Sequence, residues 1–240
     1  MNIKTFIRSL FILRRRHRAY RGKPIMTNNS TLILAPHPDD EVFGCGGLIA
    51  RLVAEGRAPY VVVMTGGGGS HRSCCDVAEK EIATARRRLT RKAMAELGLR
   101  PENIYELDYP DGDIGGEHPK QEERLRKIID KIKPDTILVP HHGEGWPDHL
   151  AARGLGVKLA PKDAVVYEYS VWMWYYRQRS LDWASASYLR MTPQEHSQKL
   201  AAIQAYTSAC APCGKPWVGV LPKLFVKANS ADVELFFRLK

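Results

Sequence analysis

Two clusters of histidine and acidic side chains, about a hundred residues apart, carry the groups best suited to chemistry. The first cluster directly follows the apolar run 31–35 and has four members: His37, Asp39, Asp40 and Glu41. One imidazole and three carboxylates within five residues suit a divalent metal ion that keeps an open coordination position. Because Pro38 lacks a backbone N–H, a strand ends there and leaves these side chains at the edge of a sheet.

The second cluster follows another apolar run, 135–140, which also ends in proline. Its members are His141, His142, Glu144, Asp148 and His149. If the two strands are parallel, the loops that follow them leave the same edge of the sheet and the clusters meet. A His-X-X-Asp pair and a distant histidine then make three ligands, which is the usual protein share of a catalytic zinc site.

The first cluster also carries a family resemblance. Residues 35–41, Ala-Pro-His-Pro-Asp-Asp-Glu, resemble the AHPDDE signature of the PIG-L/LmbE-like zinc deacetylases, with Pro36 inside it. Residues 147–149, Pro-Asp-His, resemble the end of the second family signature, HPDH. Weaker matches at 108–112 and in the helix around 199–208 extend the resemblance over roughly residues 31–208. It implies an N-deacetylase that uses Zn²⁺, or another divalent metal, on N-acetylglucosamine-type substrates.

The resemblance assigns a role to each matching residue. The implied metal ligands are His37, Asp40 and His149. Asp39 is the implied general base for the attacking water, and Asp148 the carboxylate that orients a neighbouring imidazole. Arg86 and Asp111 are the implied substrate-binding residues, although Leu89 stands where the family often has the Glu of an R-x-x-E motif.

Trp146 departs from the family, which usually has a histidine two residues before the Asp148-His149 pair. That histidine is expected to stabilise the oxyanion or to protonate the leaving group, and an indole cannot carry a proton at neutral pH. We hypothesise that His142, in the same loop, takes its place. Two other classes of protein stay open: a glycan-binding protein of the same fold that has lost turnover, and a membrane-docked interaction protein.

Alternation of strands with helices predicts an α/β fold, with one Rossmann-like, mostly parallel sheet covered by helices on both faces. The five predicted strands are 31–35, 60–64, 104–107, 136–140 and 165–169. The glycine-rich loop 65–70 lacks both the Gly-Lys-Ser/Thr and the G-x-G-x-x-G contexts, which disfavours a nucleotide site. We divide the chain into a basic arm (1–30), a catalytic domain (31–208) and a C-terminal extension packed on it (209–240).

The net charge of +10 is concentrated near the N-terminus. Residues 1–38 hold eight Lys and Arg and no acidic residue, so the remainder has 36 − 8 = 28 basic against 26 acidic residues. A nearly neutral body argues against binding to nucleic acid. Five cysteines, an odd number, and no signal-peptide pattern indicate a reducing, cytoplasmic compartment.

The arm has apolar residues at helical spacing between residues 3 and 13, with Lys4 and Arg8 among them and Arg14 to Arg16 following. A basic amphipathic helix of this kind can make peripheral contact with an anionic membrane, here its inner face. The alternatives are a disordered leader and a true start at Met26, and the pattern does not separate the three. The oligomeric state is not predicted.

Overall fold

Eight strands and seven α-helices make up the part of the chain that a computed structural model describes, residues 3–71, 76–176, 181–215 and 221–239. The strands are β1 (Lys23–Pro24), β2 (Thr31–Ala35), β3 (Tyr60–Thr65), β4 (Ile104–Tyr109), β5 (Thr136–Pro140), β6 (Val165–Tyr169), β7 (Ala186–Arg190) and β8 (Val233–Arg238). The helices are α1 (Ile3–Ala19), α2 (Asp40–Ala54), α3 (Glu79–Glu96), α4 (Pro119–Ile132), α5 (Pro147–Leu159), α6 (Pro193–Thr207) and α7 (Lys223–Asn229).

All eight strands join one sheet in the order β1-β7-β8-β6-β5-β2-β3-β4. Every pairing is parallel except those of β8, which runs antiparallel to both β6 and β7. From β2 the chain builds outward through β3 and β4, then returns to place β5 on the other side of β2. This reversal creates a crevice at the carboxyl ends of β2 and β5, which is where open α/β sheets bind ligands.

Side chains of the central strand alternate between two buried layers. Ile33 and Ala35 of β2 pack in a core with residues of α2, α3 and α6, whereas Leu32 and Leu34 pack in another with residues of α4 and α5. A strand buried on both faces needs apolar residues at every position, which explains the uninterrupted apolar run. The predicted mostly parallel sheet with helices on both faces is confirmed.

Both ends of the chain also enter the sheet. β1 pairs with the edge strand β7, and β8 lies inside the sheet between β7 and β6. α1 packs its Ile12 and Ala19 into a third buried cluster that includes residues of β8. The sheet therefore draws strands from all three predicted segments, whose boundaries stay a prediction. Within the described ranges, no helix has the length and apolar character needed to cross a bilayer.

A buried ion pair fastens α6 and β8 to α2. Nζ of Lys199 lies 2.7 Å from Oε1 of Glu234, and the two residues are only 1% and 2% exposed. The lysine also donates to the carbonyl of Phe43 at 3.0 Å, and the carboxylate accepts from the amides of Gly47 and Leu48. Because α2 starts at Asp40, this pair fixes the helix that presents a predicted metal ligand.

Candidate metal and active site

Three predicted ligands meet at the carboxyl ends of β2 and β5. His37 lies in the turn after β2, Asp40 opens α2, and His149 lies in the first turn of α5. Oδ2 of Asp40 is 3.2 Å from Nδ1 of His37 and 3.3 Å from Nε2 of His149. One ligand atom from each of the three lies within 4.8 Å of the others. Two imidazole nitrogens and a carboxylate oxygen are a donor set that suits zinc.

A second layer of carboxylates faces the outer nitrogens of both imidazoles. Nε2 of His37 lies 3.1 Å from Oδ2 of Asp148 and 3.2 Å from Oδ1 of Asp111. Nδ1 of His149 is a buried atom without a hydrogen bond, 3.5 Å from Oε2 of Glu144. Histidines that bind metals usually direct their other nitrogen at a carboxylate or carbonyl, which sets the tautomer. The residues present therefore fit a metal held between His37, Asp40 and His149.

Asp39 occupies a backbone conformation that L-residues rarely adopt. Its φ is 114° and its ψ is −27°. The amide of Asp39 donates to Oε2 of Glu41 at 3.0 Å, and Oδ2 of Asp39 accepts from Nη2 of Arg86 at 2.9 Å. Arg86 also donates to the carbonyl of Pro38. Strained residues held by their surroundings are concentrated at functional sites, and this one lies next to a predicted ligand.

The two adjacent aspartates have opposite pKa shifts. Burial raises the pKa of Asp39 to about 7, although the guanidinium of Arg86 opposes the rise. Burial also acts to raise the pKa of Asp40, but the imidazoles of His149 and His37 outweigh it and hold that pKa well below its ordinary value. Asp40 is therefore ionised, while Asp39 can gain or lose a proton near neutral pH.

The site lies in a cavity of about 510 Å³. Its polar lining includes His37, Asp39, Asp40, Arg86, Asp111, Asp148 and His149. Its apolar lining includes Leu89, Trp146, Trp172, Tyr206, Leu221 and Phe225. The Trp146 side chain is 43% exposed, and its ring centroid lies 5.5 Å from that of Trp172. A pocket with polar groups beside aromatic surface is suited to a sugar ring, which has polar edges and apolar faces.

Three pocket residues with predicted roles already make hydrogen bonds within the protein: Arg86, Asp111 and Asp148. The Arg86 guanidinium is engaged with Asp39, Pro38 and the carbonyl of Gly67. Oδ2 of Asp111 accepts from the amide of Gly69 at 2.7 Å. Asp148 accepts from the amides of Gly112 and Ile114 at 2.8 and 3.0 Å, so the loop after β4 holds it against His37. The imidazole that Asp148 faces is thus a predicted metal ligand.

His142 is the predicted site residue that the structure places elsewhere. It is exposed, and its Nδ1 lies 2.8 Å from Oε2 of Glu168 on β6. His37 and His149 are the imidazoles among the described residues that line the pocket, and His142 is outside it. The loop after β5 turns away before it returns at Trp146, so proximity in sequence did not give proximity to the site. This placement argues against the hypothesis that His142 replaces the family histidine, which stays a prediction.

Sequence reasoning assigned no role to Glu144, which belongs to the second cluster. Its carboxylate is fully buried and accepts from the amides of Val171, Trp172 and Met173 at 2.6 to 3.2 Å. It thereby connects the turn after β6 to His149. The residues next to Glu144 in sequence do not reveal that it is buried or that it accepts from three amides of a remote turn. Trp172 and Tyr206 also line the pocket.

Comparisons with known proteins place this chain beside deacetylases. A model of the PIG-L family, described as GlcNAc-PI de-N-acetylase, matches residues 32–160. A 1D-myo-inositol 2-acetamido-2-deoxy-alpha-D-glucopyranoside deacetylase of Corynebacterium diphtheriae is 29% identical over 140 residues, covering 50% of this chain and 48% of the relative. The chain spans about half the length of the curated relatives it matches.

Solved structures share the fold at low sequence identity. The N,N'-diacetylchitobiose deacetylase of Pyrococcus horikoshii is 21% identical, with a TM-score of 0.60 over 83% of this chain and 73% of that one. A 4-carboxy-2-hydroxymuconate hydratase of Pseudomonas putida KT2440 is 17% identical, with a TM-score of 0.63 over 89% of this chain and 97% of that one. Because one fold carries both reactions, the fold alone does not identify the chemistry.

Proposed function

This chain belongs to the PIG-L family, and from that premise we propose that it is a metal-dependent N-deacetylase of N-acetylated amino sugars of the N-acetylglucosamine type. The observation that carries the proposal is the convergence of His37, Asp40 and His149 beside Asp39 in one pocket. Curated relatives are named as deacetylases of an acetamido-glucopyranosyl inositol and of diacetylchitobiose, which supports a sugar acetamide as the substrate.

The metal we propose is Zn²⁺, with another divalent ion as the alternative. His37, Asp40 and His149 would hold it, and Asp148, Asp111 and Glu144 would orient the two imidazoles. When bound, such an ion polarises the acetamide carbonyl and lowers the pKa of a water molecule towards neutrality.

Asp39 is the residue we assign to proton transfer. Its carboxylate accepts a proton from the water whose oxygen bonds to the acetamide carbon, and Arg86 keeps that carboxylate in place. The C–N bond then breaks, and Asp39 returns the proton to the departing amine. One carboxyl group performs both steps in this proposal, because His37 and His149 are the pocket imidazoles of the described residues and both serve as ligands. The products are acetate and the free amino sugar.

A second candidate is a glycan-binding protein of the same fold with impaired turnover. Trp146 favours it, because an indole at the pocket can stack on a sugar but cannot protonate an amine. A membrane-docked interaction protein is the third candidate, and its support is the basic N-terminal arm. Tight sugar binding without acetate release would favour the second candidate. Purified protein that contains no metal would favour the third.

The setting of the reaction is also a proposal. We place the enzyme in the cytoplasm and extend its substrates to N-acetylated sugars within glycan or glycolipid precursors, which the inner face of a membrane can present. The support is the run of residues 1–38, which has eight basic residues and no acidic one. Such a segment is attracted to anionic lipid headgroups.

The test is acetate release from a panel of N-acetylhexosamine derivatives by zinc-loaded protein, with Asp39→Asn as the control. The proposal expects release by the wild type, a loss of about a hundredfold or more in the variant, and one metal ion per chain in both proteins. The asparagine lies beside the ligands without replacing one, so equal metal content separates loss of the base from loss of the metal. If the variant still releases acetate at the wild-type rate, Asp39 is not the base.

A further inference from the structure

The N-terminal helix α1 exposes most of its large apolar side chains, whereas an ordinary surface helix buries them. Its inward face buries Ile12, Arg15 and Ala19. Five large apolar side chains point to solvent: Ile3, Phe6, Ile7, Leu10 and Leu13. With 3.6 residues per turn, these five form one continuous stripe on the side opposite the buried residues. They are half of the ten exposed large apolar side chains in the described part of the chain.

The fold holds α1 in this orientation by polar anchors. Arg15 is buried and donates to the carbonyl of Met173, and Arg16 donates to the carbonyls of Lys227 and Ala228 at 2.8 Å. Arg8 donates to the hydroxyl of Tyr175 at 2.6 Å, with its guanidinium 4.3 Å from the centre of that ring. Because arginines face the body while Phe and Leu face outward, the apolar stripe does not serve the core of this chain.

Basic side chains border the apolar stripe. Lys4, Arg14 and Arg18 are exposed near the stripe, and α1 contains no acidic residue. A second copy of the same stripe would bring these cations against one another and would repel. An apolar face about 15 Å long with basic side chains beside it instead matches the boundary between anionic headgroups and acyl chains.

We propose that α1 is an in-plane membrane helix that docks the protein on anionic bilayers through its Ile3–Leu13 stripe. Two of the anchors of α1, Met173 and Tyr175, lie next to Trp172, which lines the pocket beside Trp146. Docking by α1 therefore sets the distance of the pocket from the lipid surface. This inference concerns binding alone and does not require the deacetylase reaction.

The test is co-sedimentation of the full chain with phosphatidylcholine vesicles, with and without phosphatidylglycerol. We expect binding to the anionic vesicles that weakens as salt is raised. The double variant Phe6→Ser/Leu10→Ser should reduce the affinity about tenfold or more, because it removes two apolar side chains from the contact. Leu200→Ser is the matched control, since Leu200 on α6 is 39% exposed and Leu10 is 42% exposed. It should bind like the wild type.

Far-ultraviolet circular dichroism and the thermal midpoint check that both variants are folded. Absence of binding by the wild type would overturn the proposal, as would equal binding by the double variant, or an equal loss in Leu200→Ser. Sedimentation without vesicles gives a further check. A dimer that the double variant abolishes, with no vesicle binding, would assign the stripe to a second copy and overturn the proposal. Membrane binding by a protein that releases no acetate would leave this inference intact and reject the proposed reaction.

Discussion

Arg86 holds Asp39 from the side of the pocket, with its Nη2 2.9 Å from Oδ2 of the aspartate. The same guanidinium donates to the carbonyl of Pro38, so it fixes both the side chain and the turn that presents it. A residue predicted to contact substrate is thus engaged with the proposed base. Its position is explained by α3, which carries Arg86 across the carboxyl end of β2.

Replacement of Arg86 by Met should lower kcat by about ten- to a hundredfold, because the carboxylate loses its orientation. It should also move the acid limb of the kcat/KM profile to higher pH, since Arg86 lowers the pKa of Asp39 and its removal lets that pKa rise. Arg87→Met is the control: Arg87 is the next residue of α3 and pairs with Asp108 away from the pocket. A pH profile that shifts equally in both variants would contradict the assignment.

Replacement of Glu144 by Gln should weaken metal binding about ten- to a hundredfold, because the carboxylate that faces Nδ1 of His149 loses its charge. The glutamine keeps one oxygen for the amides of Val171 to Met173. Competition with a chromogenic chelator measures the affinity. The thermal midpoint of the metal-free proteins shows whether the variant is folded. Unchanged metal affinity in a folded variant would exclude a role for Glu144 in orienting His149.

Replacement of His142 by Ala should leave kcat/KM within about twofold of the wild type, because its imidazole pairs with Glu168 outside the pocket. Acetate release measured beside His149→Ala gives the contrast, since His149 is a proposed ligand and its loss should abolish turnover. A large loss of activity in a folded His142→Ala protein would restore the hypothesis that this histidine takes part in the reaction.

The centre of the sheet was predictable because parallel strands buried on both faces read as nearly uninterrupted apolar runs, as 31–35, 60–64 and 136–140 do. All five strands predicted from the sequence are strands of the structure, β2 to β6. β1, β7 and β8 were not predicted. β7 reads Ala-Ser-Tyr-Leu-Arg, and β8 includes Glu234, whose carboxylate pairs with Lys199 and accepts from two amides of α2. Long-range partners of this kind override the local pattern.

The candidate site also has a part that the sequence predicts and a part that it does not. His37, Asp39 and Asp40 are adjacent in sequence, and His149 follows a strand that the apolar pattern had already placed next to them. The role of Arg86 and the position of His142 depend on how a helix crosses the strand ends and how a loop turns. Neither residue type nor spacing encodes those paths. The resemblance therefore indicated residues that line one pocket, but not what each of them contacts.

Replacement of Lys199 by Met should destabilise the protein by about 3–5 kcal/mol, because Glu234 would keep a buried charge without its counterion. Urea unfolding of the metal-free chain measures the change. Lys158→Met provides the comparison: it removes the ion pair with Glu122, in which the lysine side chain is 60% exposed, and should cost about 1 kcal/mol or less. Similar losses in the two variants would show that burial does not strengthen the Lys199–Glu234 pair.

Replacement of Trp146 by His should raise kcat if protonation of the leaving amine limits the reaction. Trp146 lines the pocket, and among the described lining residues the imidazoles are the two proposed ligands, so the substitution adds a group that can carry a proton. A positioned general acid contributes about a hundredfold or more. Trp146→Gln is the control, because its amide can donate a hydrogen bond but cannot transfer a proton at neutral pH. An increase of kcat in the histidine variant alone would mean that Trp146 restrains turnover in this chain. The same kcat in the histidine and glutamine variants would show that Asp39 supplies the proton without help and that Trp146 acts on the sugar.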